Sequence, residues 1–275
     1  MVDHTRVFPE AQAVLRAFLD EVDRHAPGHL TGAYISGSLA LDDPHPGKSD
    51  IDLVLVRPDA ATNDASMAAL LPAVERIRTL YPEPLLDAIV LSRADLAVGP
   101  AAMEGVRPII FEGRVELKGE GSALNPVTWQ TLRQGGITWR GAPLPEVALH
   151  DDPHALREWT RGNLESYWRP WLAKSRRLAS PFGLWSLRPD FVEWGVLGVT
   201  RLHYTIATGQ VTSKAGAGAH ALRVFPERWH RIVREATDIR TNRDRTRSLY
   251  GRNGLRRRRD ARAYIAMVIE DALAR

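Results

Sequence analysis

Two acidic residues at the start of an apolar segment carry the clearest chemical signal in this 275-residue sequence. Asp50 and Asp52 lead into Leu53-Val54-Leu55-Val56, a run typical of a central strand covered on both faces. Residues i and i+2 of a strand point to the same side, so the spacing predicts two neighbouring carboxylates. A divalent cation relieves their repulsion, and Mg²⁺ prefers oxygen ligands, including phosphate oxygens. We therefore expect Asp50 and Asp52 to be metal-binding catalytic residues.

A glycine–serine pair, Gly37 and Ser38, precedes Asp50 by eleven intervening residues. It follows the apolar segment Tyr34-Ile35, where a predicted strand turns into a helix. Glycine lets the backbone approach a phosphate closely, and the amides at a helix N-terminus attract anions. The sequence therefore predicts a phosphate-binding corner opposite the two carboxylates.

A third carboxylate, Asp87, lies in the apolar segment Leu85–Leu91, which is predicted to be a strand of the same sheet. Its role would be that of a metal ligand or of a general base for an incoming hydroxyl group. An Asp near a strand end is also common as a purely structural residue. Because Asp50 and Asp52 are predicted to lie in the same sheet, the catalytic interpretation of Asp87 is favoured.

These segments resemble a known family of enzymes. Gly37-Ser38 and Ser49-Asp50-Ile51-Asp52-Leu53 resemble the signature of the DNA polymerase β-type nucleotidyltransferase superfamily. Leu197–Lys214 is similar to a more family-specific motif, in which Thr-Arg is followed by an aromatic residue, Thr-Gly and a Lys. The chain as a whole resembles the aminoglycoside nucleotidyltransferases of the streptomycin 3''/spectinomycin 9 adenylyltransferase family.

The resemblance implies a first domain that holds ATP and two Mg²⁺ ions, and a helical domain that closes over the nucleotide and the acceptor. It implies metal binding by Asp50 and Asp52, and it puts Asp87 at the place of the catalytic base, usually Glu in the family. The residues implied to bind the nucleotide are Gly37, Ser38, Ser49, Arg201 and Lys214.

The acceptor implied by the resemblance is a cationic small molecule, whose pocket should be acidic and aromatic. By position, Trp185, Asp190 and Glu193 are the candidates, although Asp190 would also serve as a helix cap. The family's streptomycin pocket uses a Trp shortly after the third carboxylate. This sequence has none between Asp87 and Trp129.

The charge and the element pattern divide the chain in two. Residues 1–125 hold 11 basic and 19 acidic residues, whereas residues 126–275 hold 26 and 14. We predict an α+β fold, in which a nucleotidyltransferase domain at 1–150 has a small mixed sheet flanked by helices. An all-α helical-bundle domain at 151–275 follows. The predicted elements of the first domain are helices at 8–25 and 64–80, strands at 33–35, 51–56 and 85–91, and a hairpin at 107–118.

Composition excludes several kinds of chemistry. The sequence has no cysteine, which rules out disulfides, thiolate metal sites and a cysteine nucleophile. No apolar run approaches the length of a membrane span, and the N-terminus lacks the layout of a signal peptide. We therefore expect a cytoplasmic monomer that binds no membrane.

The predicted activity is transfer of AMP from Mg·ATP to a hydroxyl of an aminoglycoside or aminocyclitol antibiotic, with release of pyrophosphate and resistance as the result. One alternative keeps the chemistry and changes the acceptor. In it the basic stretch Arg240–Arg259 holds RNA or an acidic protein. The other alternative is a non-catalytic nucleotide-binding module, which would have no need for a third carboxylate.

Overall fold

The computed structural model describes residues 5–118, 124–241 and 248–275. The chain divides into two compact units, Met1–Asp152 and Pro153–Arg275. Residues 242–247, which belong to the basic stretch, lie outside the described residues. Within the described ranges, no helix has both the length and the apolar character needed to cross a membrane.

The first unit is built on a six-stranded mixed sheet in the order β5-β4-β3-β2-β1-β6. Strands β2 and β3 are parallel, and every other neighbouring pair is antiparallel. Both central strands are almost entirely buried, as their apolar sequences predict. The strands are β1 Gly32–Ile35, β2 Ile51–Arg57, β3 Leu86–Ser92, β4 Arg107–Phe111, β5 Arg114–Lys118 and β6 Ile137–Arg140.

Helices flank this sheet, and its two faces bury different side chains. Leu53 and Leu55 of β2 belong to one apolar cluster, whereas Val54 and Val56 belong to another, as strand alternation requires. Because both faces are covered, polar residues on the central strands are confined to the strand ends. The helices are α1 Pro9–His25, α2 Gly37–Ala40, α3 Asn63–Leu80, α4 Arg93–Val98 and α5 Pro126–Gly135.

The second unit is helical and packs around its own apolar core. Its helix with the most buried residues is α9, which packs against α10, α11 and α12. Gly195 and Gly198 of α9 leave room for the rings of Trp171 and Trp168, which a Cβ at either position would crowd. The helices are α6 Pro153–Asn163, α7 Arg169–Lys174, α8 Pro181–Trp185, α9 Pro189–Thr208, α10 Lys214–Val224, α11 His230–Thr241 and α12 Gly254–Leu273.

The predicted fold class is confirmed, because a mixed sheet with helices is followed by a helical C-terminal region. The strand β6 and the helix α5 before it were not predicted. The strand has only four residues, and it forms because it pairs with β1, a partner about a hundred residues earlier. The closing of the helical domain over a nucleotide stays a prediction.

Candidate active site

The second and third predicted strands bring two of the three acids together. Asp52 is the second residue of β2, Asp87 is the second residue of β3, and the two are direct partners in the parallel register. Asp50 is exposed and lies immediately before β2. Its charge acts on Asp87, so the third predicted acid belongs to the same neighbourhood.

Asp87 lies in an environment that perturbs its ionisation. Burial is the main cause that raises the pKa of its carboxyl group to about 6; a hydrogen bond opposes this rise, and the negative charges of Asp50 and Glu112 add to it. In that bond the backbone amide of Glu112 donates to Oδ1 of Asp87 over 3.1 Å. Glu112 lies in the turn between β4 and β5 and has a positive φ of 49°. Sequence reasoning missed this amide, because its contact depends on the sheet rather than on residue type.

Gly37 lies directly against Asp52. The backbone amide of Ser36 donates to the carbonyl oxygen of Asp52 over 2.9 Å, which joins the two segments. Gly37 has a φ of +60°, and a Cβ built there would overlap the carboxylate of Asp52. Only glycine fits this corner, both for its backbone conformation and for the space it leaves.

The helix predicted after Gly37 is shorter than an anion-binding helix would require. Helix α2 spans only the four residues Gly37–Ala40, so its aligned amides form a single turn. Ser38 is half-buried within it. A phosphate at this corner would therefore be bound by the turn at residues 36–38 and by the loop that follows, rather than by a helix dipole.

Ser49 is buried at the end of that loop. Its hydroxyl oxygen accepts a hydrogen bond from the amide of His45 over 2.9 Å. The His45 ring in turn lies 2.8 Å from a carboxylate oxygen of Asp43. A serine hydroxyl is both a donor and an acceptor, so Ser49 is of a residue type that binds phosphate oxygens.

The carboxylates suit Mg²⁺ when phosphate completes the coordination. Among the described residues, no three acidic or histidine side chains form a group that could hold a metal ion by themselves. Mg²⁺ is usually bound through one or two carboxylates, together with substrate phosphates and water. The Asp52–Asp87 pair, with Asp50 beside it, is a donor set of that kind.

In the helical unit, basic side chains surround the half-buried Glu193. An oxygen of Glu193 on α9 accepts a hydrogen bond from Nζ of Lys214 over 3.0 Å and lies 3.6 Å from a guanidinium nitrogen of Arg240. The side chain of Glu193 is only 13% exposed. Arg201 is held nearby, because its Nε donates to the carbonyl oxygen of Thr212, two residues before Lys214.

The cluster of Glu193, Arg201, Lys214 and Arg240 has a surplus of positive charge. Burial lowers the pKa of Lys214; Glu193 opposes this shift, whereas the cations Arg240 and Arg201 add to it. Three cations beside one carboxylate favour an added anion, such as a phosphate group. Arg240 was not predicted as a site residue, since only the packing of α11 on α9 brings it there.

The three predicted acceptor-binding residues differ in their surroundings. Trp185 is half-buried and contacts the rings of Trp171 and Phe191 edge-on, as a core residue does. Asp190 lies in the first turn of α9 and pairs with Arg188 at 3.3 Å. The carboxylate of Glu193 accepts a hydrogen bond from Lys214 instead of facing a substrate amine as its only cation. Their acceptor roles stay predictions.

Trp194, next to Glu193, is an exposed ring that the sequence also indicates as suited to stacking on a sugar. Its ring is 45% exposed, and Nζ of Lys214 lies 5.4 Å from the ring centre. An exposed aromatic ring of this kind is suited to stacking on a sugar.

Part of the basic stretch stabilises the helical unit. Arg257 lies 3.2 Å from the buried carboxylate of Glu235 and also donates to a backbone carbonyl oxygen. Arg258 donates to the hydroxyl of Ser186. These two arginines therefore join α12 to neighbouring segments, and their guanidinium groups are already engaged within the protein instead of being presented to a polyanion.

Comparison with known proteins found one matching family and similar solved structures. Residues 188–261 match the family described as aminoglycoside adenylyltransferase, C-terminal domain. Among solved structures, the chain is similar to a spectinomycin adenyltransferase, AAD(9), from Enterococcus faecialis, solved with ATP and spectinomycin. The TM-score is 0.64 at 14% sequence identity, over 96% of this chain and 99% of that one. A search of curated proteins found no match.

Asp52 and Asp87 are register partners on the mixed sheet, and Gly37 lies against the carboxylate of Asp52. At 14% identity, the likeness to the spectinomycin enzyme concerns the fold, whereas the match at 188–261 concerns the sequence of the helical unit. Together they support the predicted resemblance to the aminoglycoside nucleotidyltransferases.

Proposed function

We propose that this enzyme transfers AMP from Mg·ATP to a hydroxyl group of an aminocyclitol or aminoglycoside and releases pyrophosphate. The observation that carries the proposal is the pairing of Asp52 with Asp87, with Gly37 against the carboxylate of Asp52. An antibiotic modified in this way would no longer bind its target, so the reaction would confer resistance.

In this proposal, the first unit holds the reacting groups. The turn at Gly37 and Ser38, with the Ser49 hydroxyl, binds the phosphate chain of ATP. Asp50 and Asp52 would hold Mg²⁺, and when bound this ion neutralises charge on the phosphate oxygens. Asp87 accepts the proton of the acceptor hydroxyl as the hydroxyl oxygen attacks the α-phosphorus. Pyrophosphate leaves as the bond between the α-phosphorus and the oxygen that bridges it to the β-phosphorus breaks.

The helical unit supplies cations for the same nucleotide. We assign Lys214 and Arg201 to the phosphate groups of ATP, and the surplus positive charge around Glu193 supports this assignment. Glu193 then positions Lys214 by holding its ammonium group, instead of binding the acceptor as its sequence position suggests. For the acceptor, the exposed ring of Trp194 and the acidic Asp190 remain on α9.

We further propose that a spectinomycin-like aminocyclitol is preferred over streptomycin. The absence of a Trp between Asp87 and Trp129 supports this preference, since the family's streptomycin pocket uses one there. Trp129 itself is buried and donates its ring N–H to the carbonyl oxygen of Leu96, so it does not substitute.

The experiment is a pyrophosphate-release assay with ATP and GTP against a panel of aminoglycosides and spectinomycin. We expect ATP-dependent release with spectinomycin, a product heavier by one AMP group, and a specificity constant at least about tenfold lower for streptomycin. The Asp87→Asn variant provides the blank. Release with RNA or a protein acceptor, but with no antibiotic, would support the alternative instead.

A further inference from the structure

The helical unit contains a cleft that the proposed reaction does not use. It is formed by α7 with the π-helical turn before it, Leu164–Trp168, and by α12, and its volume is about 760 Å³. That volume is in the range of small-molecule sites. None of the residues of the Glu193 cluster lines it.

The cleft has a basic end. Arg176, which follows α7, lies there with Arg259 and Arg262 from the first half of α12. Arg262 is fixed in place, because its Nε donates to the hydroxyl of Ser175 over 2.8 Å. Burial lowers the pKa of Arg262, and so do the neighbouring cations Arg258 and Arg176, which shows how closely these charges are gathered.

The other end of the cleft carries acids. Glu270 is bonded there to Arg169, with N–O distances of 2.9 and 3.1 Å, and Glu165 lies 3.8 Å from the same guanidinium. Glu270 is eleven residues beyond Arg259 on α12, so the two ends are about 16 Å apart along the helix. The charge of the cleft therefore changes sign along its length.

Between the ends, the floor is apolar. Leu172 and Ala173 line it from α7, and Ala263, Ala266 and Ile269 line it from α12. Small alanines leave space where longer side chains would fill the gap between two packed helices. An apolar body of a ligand fits this middle section, while arginines at one end suit the oxygens of a phosphate.

We propose that this cleft binds a compact organic phosphate, with its phosphate group on Arg176, Arg259 and Arg262 and its organic part on the apolar floor. A continuous polyanion such as RNA is disfavoured, because Glu165 and Glu270 would repel the phosphates that pass the acidic end. The inference does not depend on the acceptor of the AMP transfer.

The test is calorimetric titration of the full chain with inorganic pyrophosphate in EDTA. The Lys214→Ala variant is the background, so that binding at the Glu193 cluster is weakened. We expect one site whose dissociation constant rises at least about tenfold in Arg176→Gln and in Arg262→Gln. Arg177→Gln is the matched control, because Arg177 is the adjacent exposed arginine and does not line the cleft. AMP transfer by the cleft variants, assayed with Lys214 intact, should be unchanged.

Two results would overturn the proposal. One is the absence of pyrophosphate binding in the Lys214→Ala background. The other is binding of a single-stranded RNA that these arginine variants weaken and pyrophosphate does not displace, which would assign the cleft to a polymer. If Arg262→Gln melts early because it loses Ser175, Arg259→Glu replaces it. The Arg259 side chain is 73% exposed and pairs only with its neighbour Asp260 among the described residues, so its reversal should weaken binding and leave the fold intact.

Discussion

Asp52 and Asp87 lie directly opposite one another across the parallel β2·β3 pair, each as the second residue of its strand. Neighbouring strands are about 4.8 Å apart, so two carboxylates at this register lie close together at the N-terminal ends of the two strands. The negative charges of Asp50 and Glu112 also act on Asp87 and disfavour its ionised form. Negative charges held this close are stabilised by a bound cation, and they make a carboxylate accept a proton more readily.

Neutralising either carboxylate should therefore remove activity without unfolding the chain. We expect Asp52→Asn to lower kcat/KM for AMP transfer by about a thousandfold and Asp87→Asn by about a hundredfold. The melting temperature of both should be equal to or above that of the wild type, since a source of repulsion is gone. Steady-state kinetics and thermal unfolding on the same preparations measure both effects.

The controls separate charge from position. Asp20→Asn changes an exposed carboxylate on α1 and should leave the rate unchanged. Asp87→Glu keeps the carboxylate and should retain activity within about tenfold of the wild type. Full activity of Asp87→Asn would remove Asp87 from the reaction, whatever the behaviour of Asp52.

Gly37 permits a second test, because another glycine has nearly the same backbone. Gly37 and Gly28 have φ values of +60° and +72°, but an added Cβ overlaps Asp52 in the first case and meets nothing in the second. We expect Gly37→Ala to lower the rate of AMP transfer by at least about a hundredfold, because Asp52 must shift by about 1 Å. Gly28→Ala should cost a similar backbone strain and leave activity intact. Equal kinetics for the two variants would contradict the role given to the corner.

The strands that hold the acids were predictable, because their signals are local. The apolar runs after Asp52 and Asp87 identify β2 and β3 by themselves, and the hairpin around Glu112 follows from its turn residues. The sequence does not state that Asp52 pairs with Asp87. That pairing depends on the register and on the parallel direction, which only the assembled sheet determines.

The same limit explains the residues that were missed in the helical unit. Glu193 looked like a partner for a cationic acceptor, because residue type and position were all that the sequence offered. Its hydrogen bond to Lys214 and its approach to Arg240 arise from the packing of three helices on one another. Ion pairs between distant segments leave no periodic signal in one sequence.

Lys214 should act on the nucleotide more than on the chemical step. We expect Lys214→Ala to raise the dissociation constant for ATP by at least about tenfold, because a charge-assisted bond to a phosphate is lost. Isothermal calorimetry with ATP and Mg²⁺ measures this effect. Lys174→Ala, at an exposed position at the end of α7, is the matched control and should bind ATP as the wild type does. An unchanged affinity in Lys214→Ala would take this lysine out of the nucleotide site.

A buried histidine pair gives the helical unit a pH-dependent stability. Nδ1 of His203 lies 3.0 Å from Nε2 of His220, and Nε2 of His203 lies 2.8 Å from a carboxylate oxygen of Asp271. Burial lowers the pKa of both histidines, and it brings that of His220 to about 4, with the charges of His203, Arg223 and Arg275 adding to the shift. The hydrogen bond to Asp271 opposes the shift at His203.

The sign of the effect follows from which state takes up protons. In the unfolded chain a histidine has a pKa of about 6.5, so below that pH the unfolded state binds a proton that the folded His220 refuses. The free energy of unfolding should therefore be highest above pH 6.5 and fall as the pH drops to 4, by up to about 3 kcal/mol from His220 alone. Urea unfolding of the helical unit, followed by tryptophan fluorescence between pH 4 and 8, measures this slope. His220→Gln should flatten it, whereas His154→Gln, an exposed histidine of α6, should leave it as steep as in the wild type. A slope that His220→Gln does not change would show that this pair is not the cause.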